Sequence, residues 1–354
     1  MLSSRKYLLF FILTALIVSC QDPAPTMDPN MDYIEFESVW QYCKAFSIFQ
    51  DNVPPDPFHF AEPDDIMIAI HDTLHGNRYT RYVNGGGSGA AAGSAASDAA
   101  STVYFDPLTD STALITITTF DYMTYDDFMG CISDAGRFSN FIIDVRQNRG
   151  GYLDELDSII QAIVPAGTNY IQARERDNDT VENRFVTRDW HPWTAEKGEI
   201  LPFYNKRIAV LMDTLSASAS EILAAAMYEG RQAKLIGMRS YGKGIGQIQL
   251  MRRTRQMLQI TFLQLKGVSD RIGDYHRHGI APDTIPDSVV TEGAKLLPVN
   301  RPIFYALKFF EPGLSANDVV NIFPPRRIPA KSLAWESGLC KVVSEDEVRL
   351  PGTK

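Results

Sequence analysis

Apolar residues along this chain switch repeatedly between two spacings. Tyr33, Phe36, Trp40 and Cys43 recur at offsets of three and four, with Val39 and Phe46 beside that stripe, which predicts a small helical N-terminal region reaching about Val83. Ala113 to Phe120 then reads as a strand and Tyr125, Phe128, Met129 and Ile132 as a helix. Phe141 to Val145 reads as a second strand, and Leu153, Leu156, Ile160 and Ile163 as a second helix. Ile208 to Met212 is an unbroken apolar run, the mark of a strand covered on both faces. Ile222 to Met227 continues it as a helix that Gly230 can end. Leu235 to Met238 and Ile245 to Leu250 read as further strands, Ile303 to Phe310 as an amphipathic helix, and Pro324 onward as an irregular tail. Strands alternating with crossover helices predict an α/β fold with a mostly parallel sheet.

Between the helical region and the first of these strands the composition breaks. From Gly85 to Ser101, 16 of 17 residues are Gly, Ala or Ser, with Asp98 the exception, too little apolar surface to fold, so the stretch is expected to be a flexible linker. The whole chain has 354 residues, 45% of them hydrophobic and 22% charged, enough to bury a full core, and its net charge of -9 argues against a nucleic-acid partner. Its first residues read differently: Arg5-Lys6 is a positive leader, Tyr7 to Val18 a short apolar stretch, and Ile17-Val-Ser-Cys20 resembles the bacterial lipobox. Cys20 is therefore the expected lipidation site and mature N-terminus, followed by a Pro-rich tether. Cys43, Cys131 and Cys340 remain, an odd number that implies no disulfide framework.

The candidate chemistry sits in Ser216-Ala-Ser218-Ala-Ser220-Glu221 and Tyr241-Gly-Lys243-Gly-Ile-Gly-Gln247. Ser218-x-x-Glu221 has the form of a capping box, which places Ser218 at a helix N-terminus where unpaired N-H groups and the helix dipole favour an oxyanion. A serine hydroxyl is a weak nucleophile without a base, and a lysine serves as that base only if burial lowers its pKa from roughly 10 to about 7 or 8. Lys243, held between glycines, fits. In an extended segment Gln247 would share its face and could orient it. Gly237-x-x-x-x-Gly242-Lys243 comes close to a phosphate-binding loop, but Gly244 stands where a hydroxyl is needed and a strand follows, so nucleotide binding is rejected. Asp144 and Arg146 read equally as a structural ion pair or a substrate clamp. His276 and His278 lack metal-ligand spacing, and no metal or cofactor is expected.

Four blocks in order resemble the carboxyl-terminal processing peptidases, or tail-specific proteases: Ile142-Ile-Asp144-Val-Arg146-Gln-Asn148-Arg-Gly150-Gly151, Ser218-Ala-Ser-Glu221, Gly242-Lys243-Gly244 with Gln247, and Gly279-Ile280-Ala-Pro282-Asp283. The resemblance implies Ser218 as nucleophile, Lys243 as general base and Gln247 as the residue that orients it. It further implies an oxyanion hole from the amides of Ala219, Gly150 and Gly151, and a crotonase-like core shared with Clp-type proteases. On that basis the chain divides into a lipoprotein signal peptide at 1–20, a tether at 21–31, a helical region at 32–83, the linker at 84–102, a peptidase core at 103–295 and a C-terminal helix and tail at 296–354. Most members carry a PDZ domain between the helical segment and the core, and here the 22 residues between Thr80 and Val103 leave no room for one. The expected protein is a lipid-anchored serine endopeptidase of the bacterial envelope, periplasmic or surface facing, acting on peptides or proteins. The alternatives are a catalytically silent peptide- or ligand-binding lipoprotein and a Ser-Lys esterase or amidase.

Overall fold

The computed structural model describes residues 33–83, 101–133, 135–179, 184–252, 257–288, 290–292, 295–297, 299–320, 322 and 340–344. The signal segment with Cys20, the tether and nearly all of the Gly/Ala/Ser run lie outside the described residues. The chain opens with helices α1 (Tyr33–Phe46) and α2 (Pro63–Ile68) and the short strands β1 (Thr73–Leu74), β2 (Asn77–Arg78) and β3 (Arg81–Val83). Then come β4 (Val103–Pro107), β5 (Thr112–Ile117), α3 (Thr124–Cys131), β6 (Asn140–Asp144) and α4 (Leu153–Ile163). They are followed by β7 (Asn169–Asp179), β8 (Arg184–Thr187), β9 (His191–Thr194), β10 (Arg207–Met212), α5 (Ala219–Arg231) and β11 (Lys234–Gly237). The rest is β12 (Ile245–Met251), β13 (Met257–Lys266), the pair β14 (Val290–Glu292) and β15 (Lys295–Leu297), α6 (Arg301–Phe310), α7 (Ala316–Val319) and β16 (Cys340–Ser344).

Two sheets carry this mixed α/β architecture. The first has the order β11-β10-β6-β5-β4, parallel except for β4; each parallel crossover carries a helix, as strand and helix patterning predicts, and the one from β6 to β10 also runs through β7, β8 and β9. Period-two alternation sorts the residues of β10 between two cores. Ala209 and Leu211 join Leu114, Ile142 and Ile236 against Ile303, Ala306, Leu307 and Phe310 of α6. Ile208, Val210 and Met212 join Ile115, Ile143 and the inner faces of α4 and α5. Turns at the C-terminal ends of β6 and β10 therefore meet on one edge of a doubly covered sheet, the position the fold class reserves for chemistry.

The second sheet, order β16-β12-β13-β7-β8 with β3 on β13 and β9 on β7, is antiparallel apart from the β12-β16 pair. The periodicity did not foretell it. Its strands β8 and β9 are at most half-buried, and β7 reads Asn-Tyr-Ile-Gln-Ala-Arg-Glu-Arg-Asp-Asn-Asp, with charge where alternation would need apolar residues. Three expectations change accordingly. The region before Val83 is helical only as far as Ile68, and its β3 is hydrogen-bonded to β13 of the core. The strand expected over Ala113 to Phe120 ends at Ile117, because Phe120 turns to bridge Gly151. The tail is not wholly irregular, since β16 lies along β12. The N-terminal helix is fastened to this sheet by Ile48 N-H to the Thr261 carbonyl at 2.9 Å and by Arg252, which donates to Glu35 and Ser38.

Candidate active site

Ser218 occupies the turn between β10 and α5. The turn is knotted by Asp213, whose Oδ1 accepts the backbone N-H groups of Gln147, Leu215 and Ser216 at 2.9 to 3.1 Å. Ser216 Oγ donates to the Val145 carbonyl and Ser220 Oγ to the Asn148 carbonyl, both at 2.8 Å, which ties this turn to the one after β6. Ser218 itself has φ 59° and ψ -115°, a left-handed conformation that a non-glycine residue holds only when its surroundings impose it. Its side chain is fully buried, and Oγ makes no hydrogen bond. The hydroxyl is thus not spent on α5, although Glu221 completes the reciprocal half of a capping box by accepting the Ser218 N-H.

Glu221 binds that turn to the lysine loop. Its Oε2 accepts the N-H of Ser218 at 2.9 Å and of Lys243 at 2.7 Å, so the two backbone nitrogens share one oxygen. Its Oε1 accepts Ser240 Oγ at 2.5 Å and the Gly242 N-H at 2.7 Å. Burial raises the Glu221 pKa, and these four donors oppose that rise by holding the charged form. Lys243 is 3% exposed; its Nζ donates to Gln247 Oε1 at 2.8 Å and lies 4.7 Å from the centre of the Tyr79 ring. Lys243 precedes β12 and a β-bulge falls between Gly246 and Gln247, so simple strand alternation is not what brings the two side chains together. No hydrogen bond joins Ser218 Oγ to Lys243. What the fold supplies is the shared backbone tether through Glu221.

Behind Gln247 runs a buried polar chain. Gln247 Nε2 donates to Thr261 Oγ1 at 3.3 Å, Thr261 Oγ1 donates to Asp72 Oδ2, and Thr80 Oγ1 donates to the same Oδ2 at 2.6 Å. Thr80 Oγ1 also accepts the Thr261 N-H at 3.0 Å.

The turn after β6 packs directly on Ser218. A Cβ on Gly150 would sit 2.8 Å from Ser218 Cβ and 3.0 Å from Ala219 N, and one on Gly151 would sit 2.0 Å from the Phe120 carbonyl oxygen, so neither position admits a side chain. The Gly150 N-H donates to Asn148 Oδ1 at 2.8 Å, and Asn148 Nδ2 in turn holds the Ile117 carbonyl at 2.9 Å. Of the three amides named for an oxyanion hole, Gly150's is therefore engaged. Ala219 opens α5, so its N-H has no carbonyl within the helix to meet.

Residues 111–285 match peptidase family S41. That segment, just under half of the chain, is an S41 peptidase core. The chain is 30% identical over 174 residues to the carboxy-terminal processing protease CtpB of Bacillus subtilis, a match covering 49% of this chain and 33% of that protein. It is 25% identical over 194 residues to a probable CtpA-like serine protease of Staphylococcus haemolyticus, covering 54% of this chain and 36% of the relative. The matched part thus spans about a third of the length of these curated relatives. Among solved structures, a lipoprotein from Streptococcus agalactiae superposes with a TM-score of 0.51 at 10% identity, covering 79% of this chain and 96% of that one, a likeness of fold.

Within the S41 core, motif reading picked out Ser218, Lys243, Gln247 and the glycine turn, and missed the residues that hold them. Glu221 showed itself only as a helix cap, and Asn148 only as one position of a block. Tyr79 and Thr80 showed only as part of Arg78-Tyr79-Thr80-Arg-Tyr82, a loose match to the end of the family's N-terminal segment, and Asp72 and Thr261 left no signal, because they are buried polar groups paired across 189 residues. Asp144 and Arg146 form a two-pronged ion pair at 2.6 and 2.9 Å that also reaches Asn300 before α6, which favours the structural of its two readings. A cavity of about 500 Å³ opens beside the site, walled by Leu153, Asp157, Tyr170, Trp193, Glu196 and, one turn along α5 from Ser218, Ile222. Among the described residues no cluster of His, Cys, Asp or Glu is placed to hold a metal, and no helix is long and apolar enough to cross a membrane.

Proposed function

We propose that this protein is a lipid-anchored serine endopeptidase of the bacterial envelope that cleaves peptides or proteins through a Ser218-Lys243 dyad. The observation that carries the reading is a buried Lys243 Nζ held by Gln247 on a loop that Glu221 lashes to the Ser218 turn. Neutral Lys243 takes the proton of Ser218 as Oγ attacks the scissile carbonyl. The oxyanion forms beside the Ala219 and Gly151 amides, the amine leaves with a proton returned by Lys243, and water hydrolyses the acyl-enzyme by the same route. Ser218 and Gln247 are fully covered and Lys243 nearly so, hence substrate must displace part of that cover. The segment bearing His75 and Asn77 is in place to be that part: His75 Nε2 lies 3.0 Å from the Tyr241 carbonyl oxygen, and Asn77 Nδ2 donates to the Tyr241 hydroxyl at 3.2 Å. Labelling of Ser218 by a fluorophosphonate probe tests the reading directly, and a protein that folds but resists the probe under all conditions counts against it.

The anchor is proposed on Ile17-Val-Ser-Cys20 alone. Mass spectrometry of the mature protein from membranes is expected to find Cys20 at the N-terminus with acyl chains attached, and Cys20→Ala is expected to leave the protein unprocessed or soluble. An unmodified terminus, or Cys20 inside a longer chain, would show that nothing is anchored there.

Substrate choice follows from the 22 residues between Thr80 and Val103, which leave no room for a domain that captures a C-terminal carboxylate. Matched peptides with free and amidated C-termini are expected to turn over at similar rates. A large preference for the free acid would mean that another surface recognises the tail.

A further inference from the structure

We infer that Asp72, acting through Thr261, is a positioning residue that decides which end of the Gln247 amide faces Lys243. The inference rests on the Ser218-Lys243 reading above. An amide side chain offers an acceptor at one end and a donor at the other, and nothing in Gln247 itself selects between the two. The selection comes from behind. Asp72 Oδ2 accepts two hydroxyl protons, from Thr80 at 2.6 Å and from Thr261. A hydroxyl has one proton, so Thr261, having given its own to Asp72, meets Gln247 with a lone pair. That lone pair accepts Gln247 Nε2 at 3.3 Å, and Oε1 is thereby turned to Lys243 Nζ at 2.8 Å. Thr80 holds Thr261 in place by accepting its N-H at 3.0 Å. Every member is buried, with Asp72 4% exposed and Thr80, Gln247 and Thr261 fully covered, so water does not scramble the order.

The arrangement gives the N-terminal segment a part in the chemistry. Asp72 and Thr80 precede the Gly/Ala/Ser run, and Thr261 and Gln247 follow it on β13 and β12. The base is therefore set by a residue that touches neither it nor the nucleophile.

The test is the rate at which a small fluorophosphonate labels Ser218 as a function of pH, with thermal melting as the control for folding. Thr261→Val keeps the shape and deletes the hydroxyl. Without a director the amide no longer presents Oε1 steadily, and the ammonium form of Lys243 loses the acceptor that favours it. The midpoint of the labelling profile is expected to move to lower pH, and the plateau rate to fall on the order of tenfold as Nζ loses its placement. The other titratable groups facing Lys243 are Glu221 from α5, Tyr79, His75 on the Tyr241 carbonyl, Tyr241 on its own loop and His276 behind Gly244, and none of them is altered. Thr261→Ser, which returns the hydroxyl, should return the midpoint. Asp72→Asn attacks the chain one step further back, is expected to shift the midpoint the same way, and carries the test if Thr261→Val does not fold.

Both shifts should vanish in a Gln247→Ala background, where there is no amide left to orient. Lost charge at Asp72, or general loosening of the core, would persist there. Shifts that survive in Gln247→Ala, or a midpoint unmoved in Thr261→Val and Asp72→Asn while Lys243→Ala abolishes labelling, overturn this inference and leave the dyad standing. Labelling that is undiminished in Lys243→Ala removes the dyad and this inference together.

Discussion

Lys243→Ala is expected to lower peptidase turnover at least about 100-fold, the usual contribution of a positioned general base. Ser218→Ala should be at least as damaging, and the double variant no worse than Ser218→Ala, because a nucleophile and its base act as one unit and their losses do not add. The pH dependence carries the same logic. Only the neutral lysine accepts a proton, so activity should rise with pH through a single ionisation, that of the buried Lys243. Burial is the fold's doing: the Tyr79 ring covers Nζ and Gln247 is fully enclosed beside it. Peptide hydrolysis followed across pH in wild type and the three variants checks the whole set. Retained turnover in Lys243→Ala would require another base and would remove the dyad.

Glu221→Ala is expected to damage the molecule most in stability. Its carboxylate receives the Ser218, Gly242 and Lys243 N-H groups and the Ser240 hydroxyl, all buried. Deleting it strands four donors, each costing about 1 to 3 kcal/mol when left without an acceptor. That total approaches the entire stability of an ordinary domain, about 5 to 15 kcal/mol. Ser240 spreads the damage, since its Oγ also accepts the Ile280 N-H at 2.7 Å and so links the Gly279 block to the same carboxylate. Glu221→Gln keeps one acceptor oxygen, but either orientation of the amide sets its NH2 against two donors, so an intermediate loss is expected. Denaturant unfolding of the three proteins, read by far-UV circular dichroism, measures the series. If Glu221→Ala unfolds at the wild-type midpoint, the four hydrogen bonds do not hold the site together.

The same residue shows where sequence reading stops. Glu221 stands three positions after Ser218, and that spacing makes it legible as a helix cap, because capping is a contract between near neighbours. Its other partners, Ser240, Gly242 and Lys243, lie about twenty residues on and arrive from a different turn. They share a carboxylate only because β10 and β11 pair side by side and carry their following loops to the same edge. Lys243 and Gln247 illustrate the complement. Their spacing suggested one face of a strand, yet Lys243 lies outside β12 and a bulge interrupts the register, so the contact at 2.8 Å is made by loop geometry that no alternation rule encodes.

By itself, then, the sequence determined what is local: the doubly covered strands, the helices between them, the hydroxyl at a helix start and the glycines that let the Gly150-Gly151 turn press against it. Those features rest on side-chain periodicity and on hydrogen bonds a few residues long, and both leave a pattern in order along the chain. Only the tertiary structure decided the second, antiparallel sheet, the placing of β3 and β16 on it, and the chain of buried polar groups from Asp72 through Thr261 to Gln247 and Lys243. The physical reason is that a buried donor needs one acceptor at hydrogen-bond distance and is indifferent to where in the chain that acceptor lies. Asp72 and Thr261 are 189 positions apart, and the fold alone makes them neighbours.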